Sequence, residues 1–205
     1  MGLIDEVSSV SIRRIVAPSV EPVTLAEFKT HVHEDLSDAT NDTYMTSLLL
    51  AAREWCEQYT KRSFITQSWS MQMQALPASD RIYLPRGPIQ LGGSLAIITV
   101  QTNGVGSVFS SSKYNLEQLT NSLRLIPPND WPTYDTGYPW PVKITYTAGY
   151  GAAASAVPET IKLAIKHLAS FWYEFRHGAL DSRSKESPPE QVKRLLSGYR
   201  LPEFA

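Results

Sequence analysis

Cysteine is almost absent from this chain of 205 residues, since Cys56 is the only one. A single thiol excludes an intramolecular disulfide and a zinc cluster built from several thiolates. No run of about 18 apolar residues occurs, so no transmembrane helix is predicted. The first ten residues, MGLIDEVSSV, carry acids where a secretory signal has a basic region and an apolar run. We therefore expect a cytoplasmic protein with no membrane contact.

An excess of either charge is also missing. Lys and Arg number 19 and Asp and Glu number 20, so the net charge of -1 does not indicate a nucleic-acid-binding protein. The charge is uneven along the chain: residues 1–60 hold four basic and ten acidic side chains, and residues 61–205 hold fifteen and ten. Either the acids serve helix starts and solvated helix faces, or identical subunits meet acidic face to basic face in a ring or filament.

Patterns that would support catalysis or metal binding are absent. His31 and His33 would point about 200° apart on a helix, so they do not form a metal-binding pair. Cys56 falls in an apolar helical stripe, which predicts a buried, inert thiol. No GxSxG motif occurs, and the glycines at 149–151 lack the Lys-Ser/Thr pair of a phosphate-binding loop, so they predict a structural turn. We expect no enzyme activity, metal or cofactor.

Helical patterns lie toward both ends of the chain. A capping box formed by Thr24 and Glu27 starts a predicted helix over residues 25–33. Apolar residues at helical spacing predict a second helix over 42–60 and a third from Pro158 to a stop at Gly178, with Trp172 and Phe175 in its buried stripe. A brief helix follows from Pro189 to about Gly198.

A β pattern occupies the middle of the chain. Residues 65–74 alternate apolar and polar side chains, which predicts a half-buried strand. Asn103-Gly104 is a hairpin-turn dipeptide, and residues 127–141 contain too many prolines for a central strand. The remaining predicted strands are 81–84, 94–101, 105–110, 114–119, 123–126 and 142–147.

The order of these elements predicts an α+β fold: a small helical bundle with an antiparallel β region inserted between the second and last long helices. The predicted domains are an N-terminal arm (1–22), the bundle (23–62 and 157–178), the β region (63–156), and a C-terminal linker, short helix and tail (179–205).

Aromatic side chains concentrate in the proline-rich loop, at Trp131, Tyr134, Tyr138 and Trp140. Between Arg124 and Lys143 the chain has no basic residue to neutralise phosphate, so packing or a subunit interface is favoured over stacking on nucleic-acid bases. A glycan-binding or enzymatic platform is a further alternative, although no opposed pair of catalytic carboxylates is evident.

Several short segments form a recognisable ordered set, and none of them is catalytic. They are 23–27, 51–60, 65–69, 84–90, 142–151, 157–162 and 172–174. Taken in order, over about residues 23–177, they resemble the head-tail connector (adaptor) proteins of tailed bacteriophages.

This resemblance implies a structural protein of the virion neck, assembled in the host cytoplasm. Twelve copies would form a ring beneath the portal protein, joined on the other side to a stopper or tail protein, and genomic DNA would pass through the lumen without being read. A stopper or another neck protein is the alternative. The C-terminal segment would dock on the portal, and the residues expected to do so are Leu195, Leu196, Tyr199, Leu201 and Phe204.

Overall fold

The computed structural model describes residues 10–90, 97–102, 105–127, 129–175 and 189–201. The chain forms two compact units, each made from two separate stretches of sequence. The first, here called the β unit, contains Met1–Pro18 and Thr66–Tyr150. The second, the helical unit, contains Ser19–Ile65 and Gly151–Ala205.

Among the described residues, four α-helices build the helical unit. The first helix ends two residues before the predicted end because His33 adopts a left-handed φ of 59°, which a helix cannot continue through. The second helix has the predicted bounds. The helices are α1 (Leu25–His31), α2 (Asp42–Thr60), α3 (Glu159–Glu174) and α4 (Glu190–Ser197).

The core of the helical unit follows the predicted apolar stripes of α1, α2 and α3, with one exception. Trp172 and Phe175 were predicted to be buried, but Trp172 is half-buried and Phe175 is 42% exposed. Tyr173 is buried instead, and its hydroxyl donates to Glu34 Oε1 at 2.5 Å and accepts from Asn41 Nδ2 at 3.4 Å. These polar partners place Tyr173 inward in the last turn of α3. The fully buried side chains include Phe28, Met45, Ala52, Cys56, Ile161, Ile165, Leu168, Val192 and Leu196.

The predicted capping box at the start of α1 is confirmed. The backbone N–H of Glu27 donates to Thr24 Oγ1 at 3.2 Å, and Glu27 Oε2 accepts from the backbone N–H of Thr24 at 2.7 Å. The bond from the Thr24 N–H, and a second from the Thr24 hydroxyl to the same carboxylate, lower the pKa of Glu27, because they favour its ionised form. The cap satisfies backbone donors that a helix start otherwise leaves without partners.

Removing this cap is expected to weaken the helical unit. Thr24→Ala should lower the free energy of unfolding by about 1 kcal/mol, since alanine cannot accept from the backbone of Glu27. Thr24→Ser, which keeps the hydroxyl, is the matched control and should unfold close to wild type. Urea denaturation followed by circular dichroism measures both, and equal midpoints for wild type and Thr24→Ala would contradict the assignment.

The described part of the β unit consists of two antiparallel sheets, so the predicted α+β class is confirmed. One sheet has five strands in the order β1-β2-β8-β4-β5, and the other has three in the order β3-β7-β6. Every strand pair in both is antiparallel. The strands are β1 (Val10–Val16), β2 (Gln67–Met73), β3 (Arg81–Tyr83), β4 (Ile97–Thr102), β5 (Val105–Val108), β6 (Tyr114–Glu117), β7 (Ser122–Leu125) and β8 (Val142–Ala148).

Period-two alternation decides which face of the five-stranded sheet is buried. Met71 lies opposite Ile12 of β1 and Ile144 of β8, and Ile144 lies opposite Ile98 of β4. Residues directly opposite in an antiparallel ladder point to the same face, so Met71, Ile144 and Ile98 form one apolar layer of the core. Ile12 continues the row at the sheet edge, where it is 43% exposed. The apolar half of the predicted alternation over 65–74 is buried as expected.

The N-terminal segment differs from the sequence interpretation. Residues 1–22 were predicted to be an arm, whereas Val10–Val16 form an edge strand paired with β2. All seven residues of β1 are exposed, so the ladder to β2 holds the strand and burial contributes little. The predicted hairpin turn Asn103-Gly104 lies outside the described residues, but the β4–β5 register is that of a hairpin, with Thr102 opposite Val105.

Candidate interaction surfaces

Within the described residues, no group of three or more His, Cys, Asp or Glu side chains is placed to hold a metal ion. None of the described helices has the length and hydropathy needed to cross a membrane. His31 instead contacts the His167 ring, with centroids 5.4 Å apart. Burial lowers the pKa of His31, and the neighbouring His167, Lys166 and His33 lower it further.

An apolar pocket of about 440 Å³ opens on the helical unit. Its walls come mainly from aliphatic side chains such as Val20, Val23 and Leu49. The carboxylate among the lining residues, Glu21, accepts a hydrogen bond from Arg53 Nε at 2.7 Å. This pocket therefore presents apolar surface, and its carboxylate serves the fold.

Cys56 is fully buried in α2, as the sequence predicted. Burial, and to a smaller extent the Glu57 carboxylate, raises the pKa of the Cys56 thiol to about 12. At neutral pH the thiolate, which is the reactive form, is scarce.

We expect Cys56 to resist alkylation in the folded protein. Iodoacetamide at pH 8 should modify it at least 100-fold more slowly than the same residue in urea, because both accessibility and thiolate formation are suppressed. Mass spectrometry of timed samples gives the two rates. Comparable rates in buffer and in urea would mean that α2 does not bury the thiol.

The motif at 51–60 is explained by a buried ion cluster on α2. Arg53 is 2% exposed and hydrogen-bonds to two carboxylates, with Nη1 at 2.8 Å from Glu57 Oε2 and Nε at 2.7 Å from Glu21 Oε2. The half-exposed Glu54 carboxylate lies farther away, at 3.7 Å from Nη2. The other oxygen of Glu57 accepts from the backbone N–H of Phe64 at 2.8 Å. The cluster thus fastens the segments before and after α2 to the helix itself.

The motif at 84–90 also has a packing role, in the β unit. Asn121 has a left-handed φ of 49°, and its side-chain oxygen accepts from the backbone N–H of Ile89 at 3.1 Å. A Cβ on Gly87 would lie 2.2 Å from that same oxygen, so glycine is required for this close approach. Gln90 completes the loop by donating to Thr66 Oγ1 at 2.7 Å and to the Gly149 carbonyl at 3.1 Å.

The four aromatic side chains of the proline-rich loop at 127–141 fall into two groups. Trp131 and Tyr134 pack against the core of the β unit, where Trp131 Nε1 donates to the Ser79 carbonyl at 2.7 Å. Tyr138 is 40% exposed and Trp140 is half-buried. Packing therefore accounts for the first two rings, and the interface role predicted for all four stays a prediction.

The C-terminal residues singled out by the sequence are not equally available. Leu196 is fully buried within the helical unit, because Val192 and Leu196 lie one turn apart on the inward face of α4. A partner could reach Leu196 only if α4 detached, so Leu196 does not belong to an exposed docking surface. Leu195, Tyr199 and Leu201 are half-buried, and Phe204 lies outside the described residues.

Backbone bonds hold the segment after α4 against the end of α2. The Leu201 N–H donates to the Thr60 carbonyl at 3.0 Å, and Arg62 Nε donates to the Tyr199 carbonyl. The Arg200 guanidinium lies 5.7 Å from the centroid of the Tyr59 ring. These bonds use backbone atoms of residues 199 and 201 and leave their side chains partly exposed.

Sequence interpretation missed the exposed edge strand β1. Val10, Ile12, Ile15 and Val16 are 43% to 56% exposed. The alternation of β-branched and polar residues in VSIRRIV was the available signal for a strand.

Comparison with known proteins identifies the fold. No family model matches the sequence, and no curated protein matches it. A chain in the neck of an empty gene transfer agent (GTA) particle, computed with C6 symmetry, is 23% identical with a TM-score of 0.77. A chain from the virion of a native GTA particle is 24% identical with a TM-score of 0.75. A chain in the neck of a native GTA particle, computed with C12 symmetry, is 24% identical with a TM-score of 0.73.

Each of these three alignments covers 95% of this chain and 97% of the other. The similarity therefore extends over nearly the whole length of both partners. The chain has the fold of these GTA particle chains.

Proposed function

We propose that this protein is a structural head-tail connector (adaptor) of a tailed phage-like particle. Copies of the chain form a ring, twelve by expectation, beneath the portal and join the head to a stopper or tail protein. The observation that carries the proposal is the match to neck chains of GTA particles at a TM-score of 0.77 over almost the full length. The C6 and C12 symmetries of those neck assemblies support the ring.

The motifs of the connector resemblance support the same proposal. They occupy positions where this fold needs them: the capping box starts α1, the 51–60 segment carries the buried Arg53, and Gly87 admits Asn121. Tight binding of DNA needs many contacts between cationic side chains and phosphates. The net charge of -1 provides no excess of cations, which suits a channel through which DNA must pass without being held.

Docking on the portal is assigned to the end of the chain. Leu195, Tyr199 and Leu201 are half-buried apolar or aromatic side chains within seven residues of sequence, and Phe204 follows them. Apolar and aromatic anchors of this kind commonly carry most of the binding energy of an interface. The exposed Tyr138 and the half-buried Trp140 are the loop side chains left for contact with a neighbouring copy.

Native mass spectrometry of the purified protein, alone and mixed with the portal of the same genome, tests this proposal. A ring or a stoichiometric portal complex is the expected result. Binding to the tail tube without binding to the portal would overturn the adaptor role in favour of a stopper. A monomer that binds neither protein would overturn the neck assignment altogether.

A further inference from the structure

The five strands of the larger sheet contain no aspartate or glutamate. Their charged residues are Arg13, Arg14 and Lys143. In the other sheet of the same unit, Glu117 lies 3.1 Å from Arg81 in a salt bridge. The larger sheet therefore carries positive charge only, within a chain of almost balanced composition.

The face of this sheet opposite the core is mostly polar, and the strand register defines it. One row across the sheet contains Ser11, Gln72, Lys143 and Thr99 and ends at Val108 of β5. The next row contains Arg13, Ser70 and Thr145 and ends at Ile97 of β4. We call the seven polar residues of these two rows the polar sheet face. Its side chains are hydroxyls, one amide and two cations, all of which can donate hydrogen bonds.

Arg13 and Lys143 are exposed, and among the described residues neither has an ion-pair partner. They lie two strands apart and two residues offset, which places their backbones about 12 Å apart. Each strand of a DNA duplex presents one phosphate per about 3.4 Å of axis, so both cations can engage the backbone of one duplex at once. Of the neighbouring donors, Ser11 is exposed and Gln72 is half-buried, whereas Ser70 is buried. Hydroxyl and amide donors such as those of Ser11 and Gln72 are also typical of phosphate contacts.

We propose that the polar sheet face contacts the phosphate backbone of double-stranded DNA through Arg13 and Lys143. The contact reads no sequence, since nothing in the face is shaped to enter a groove and sort base edges. Two cations per copy give weak binding that salt disrupts, which suits DNA that must move. The proposal rests on the connector function and names the face of each copy that borders the genome in the ring.

Fluorescence anisotropy of a labelled 30-base-pair duplex, titrated with the full-length protein at 25 to 200 mM salt, tests the contact. Arg13→Gln combined with Lys143→Gln should weaken DNA binding about tenfold at low salt. It should also reduce, by about 1.8, the magnitude of the slope of the logarithm of the association constant against the logarithm of the salt concentration. The control is Lys193→Gln combined with Arg194→Gln on α4, which removes the same charge from the helical unit and should bind like wild type.

A second variant tests the face without removing a cation. Gln72 lies opposite both Ser11 and Lys143, so Gln72→Glu places a carboxylate in that row at nearly unchanged volume. We expect it to weaken DNA binding at least fivefold, because the new carboxylate both pairs with Lys143 and repels phosphate.

The outcomes separate this proposal from the connector function. DNA binding that is equal for wild type, the face variants and the α4 control would overturn the phosphate contact, even if the protein still forms a ring on the portal. Face variants that lose ring or portal binding but keep DNA affinity would show that the polar sheet face is a protein interface, which also overturns the proposal. Failure of wild type to bind the portal or itself counts against the connector function alone.

Discussion

Replacing Leu201 and Phe204 with aspartate is expected to abolish binding of the protein to its portal, with an affinity loss of more than 100-fold. Two carboxylates would have to be desolvated where apolar anchors had been, and each such burial costs several kcal/mol. The backbone N–H of Leu201 keeps its bond to the Thr60 carbonyl in the variant. The unfolding midpoint should therefore stay close to that of wild type.

Two further variants make this result specific. Leu119 is fully exposed in the β unit, so Leu119→Asp controls for adding charge to an exposed apolar position and should bind the portal normally. Leu196→Asp should destabilise the helical unit severely, because it places a charge in the core. A pull-down in which the tail double variant retains full portal binding would remove the C-terminal segment from the docking surface.

The second large effect is expected at the buried cation of α2. Arg53→Ala should lower the free energy of unfolding by about 3 to 5 kcal/mol, because it leaves the buried Glu57 carboxylate without its ion-pair partner. Arg194→Ala on the exposed face of α4 is the matched control, and a change within about 0.5 kcal/mol is expected there. Urea denaturation of the three proteins gives the comparison.

A paired replacement separates the charge from the packing. Arg53→Met combined with Glu57→Met removes both ions and keeps much of their volume, so it should be considerably less destabilising than Arg53→Ala. The Phe64 backbone donor loses its acceptor in this variant, which leaves a residual cost of about 1 to 3 kcal/mol. If the free energy of unfolding of Arg53→Ala equals that of wild type, the ion cluster does not hold the segments before and after α2 against the helix.

The elements that sequence predicted best are those with local chemical signals. Thr24 and Glu27, for example, mark the start of α1. Such signals act within a few residues, so they can be read without the fold. The apolar stripe that places Cys56 in the core is local in the same sense.

The features that the sequence did not predict depend on contacts between residues far apart in the chain. Val10–Val16 becomes a strand because β2, more than fifty residues later, offers it an edge. Tyr173 turns inward because Glu34 and Asn41 provide partners for its hydroxyl. The pairing of Arg53 with Glu21 across 32 residues is likewise invisible in the spacing of either residue.

The candidate surfaces show the same difference between local sequence signals and contacts made by distant residues. Leu195 and Leu196 look alike in sequence, and only the packing of α4 shows that one is half-buried and the other is core. Trp131 and Tyr134 were grouped with Tyr138 and Trp140 by composition, but the first two complete the core of the β unit. The polar sheet face required the strand register, because Arg13 and Lys143 lie 130 residues apart in the chain.

Electron microscopy of the protein bound to its portal tests the central claim most directly. We expect a ring of this chain, twelve-fold by the connector resemblance, beneath the portal, with density for both the helical unit and the β unit in every subunit. A portal that carries no ring, or a ring of this chain found only on the tail side of another neck protein, would contradict the account.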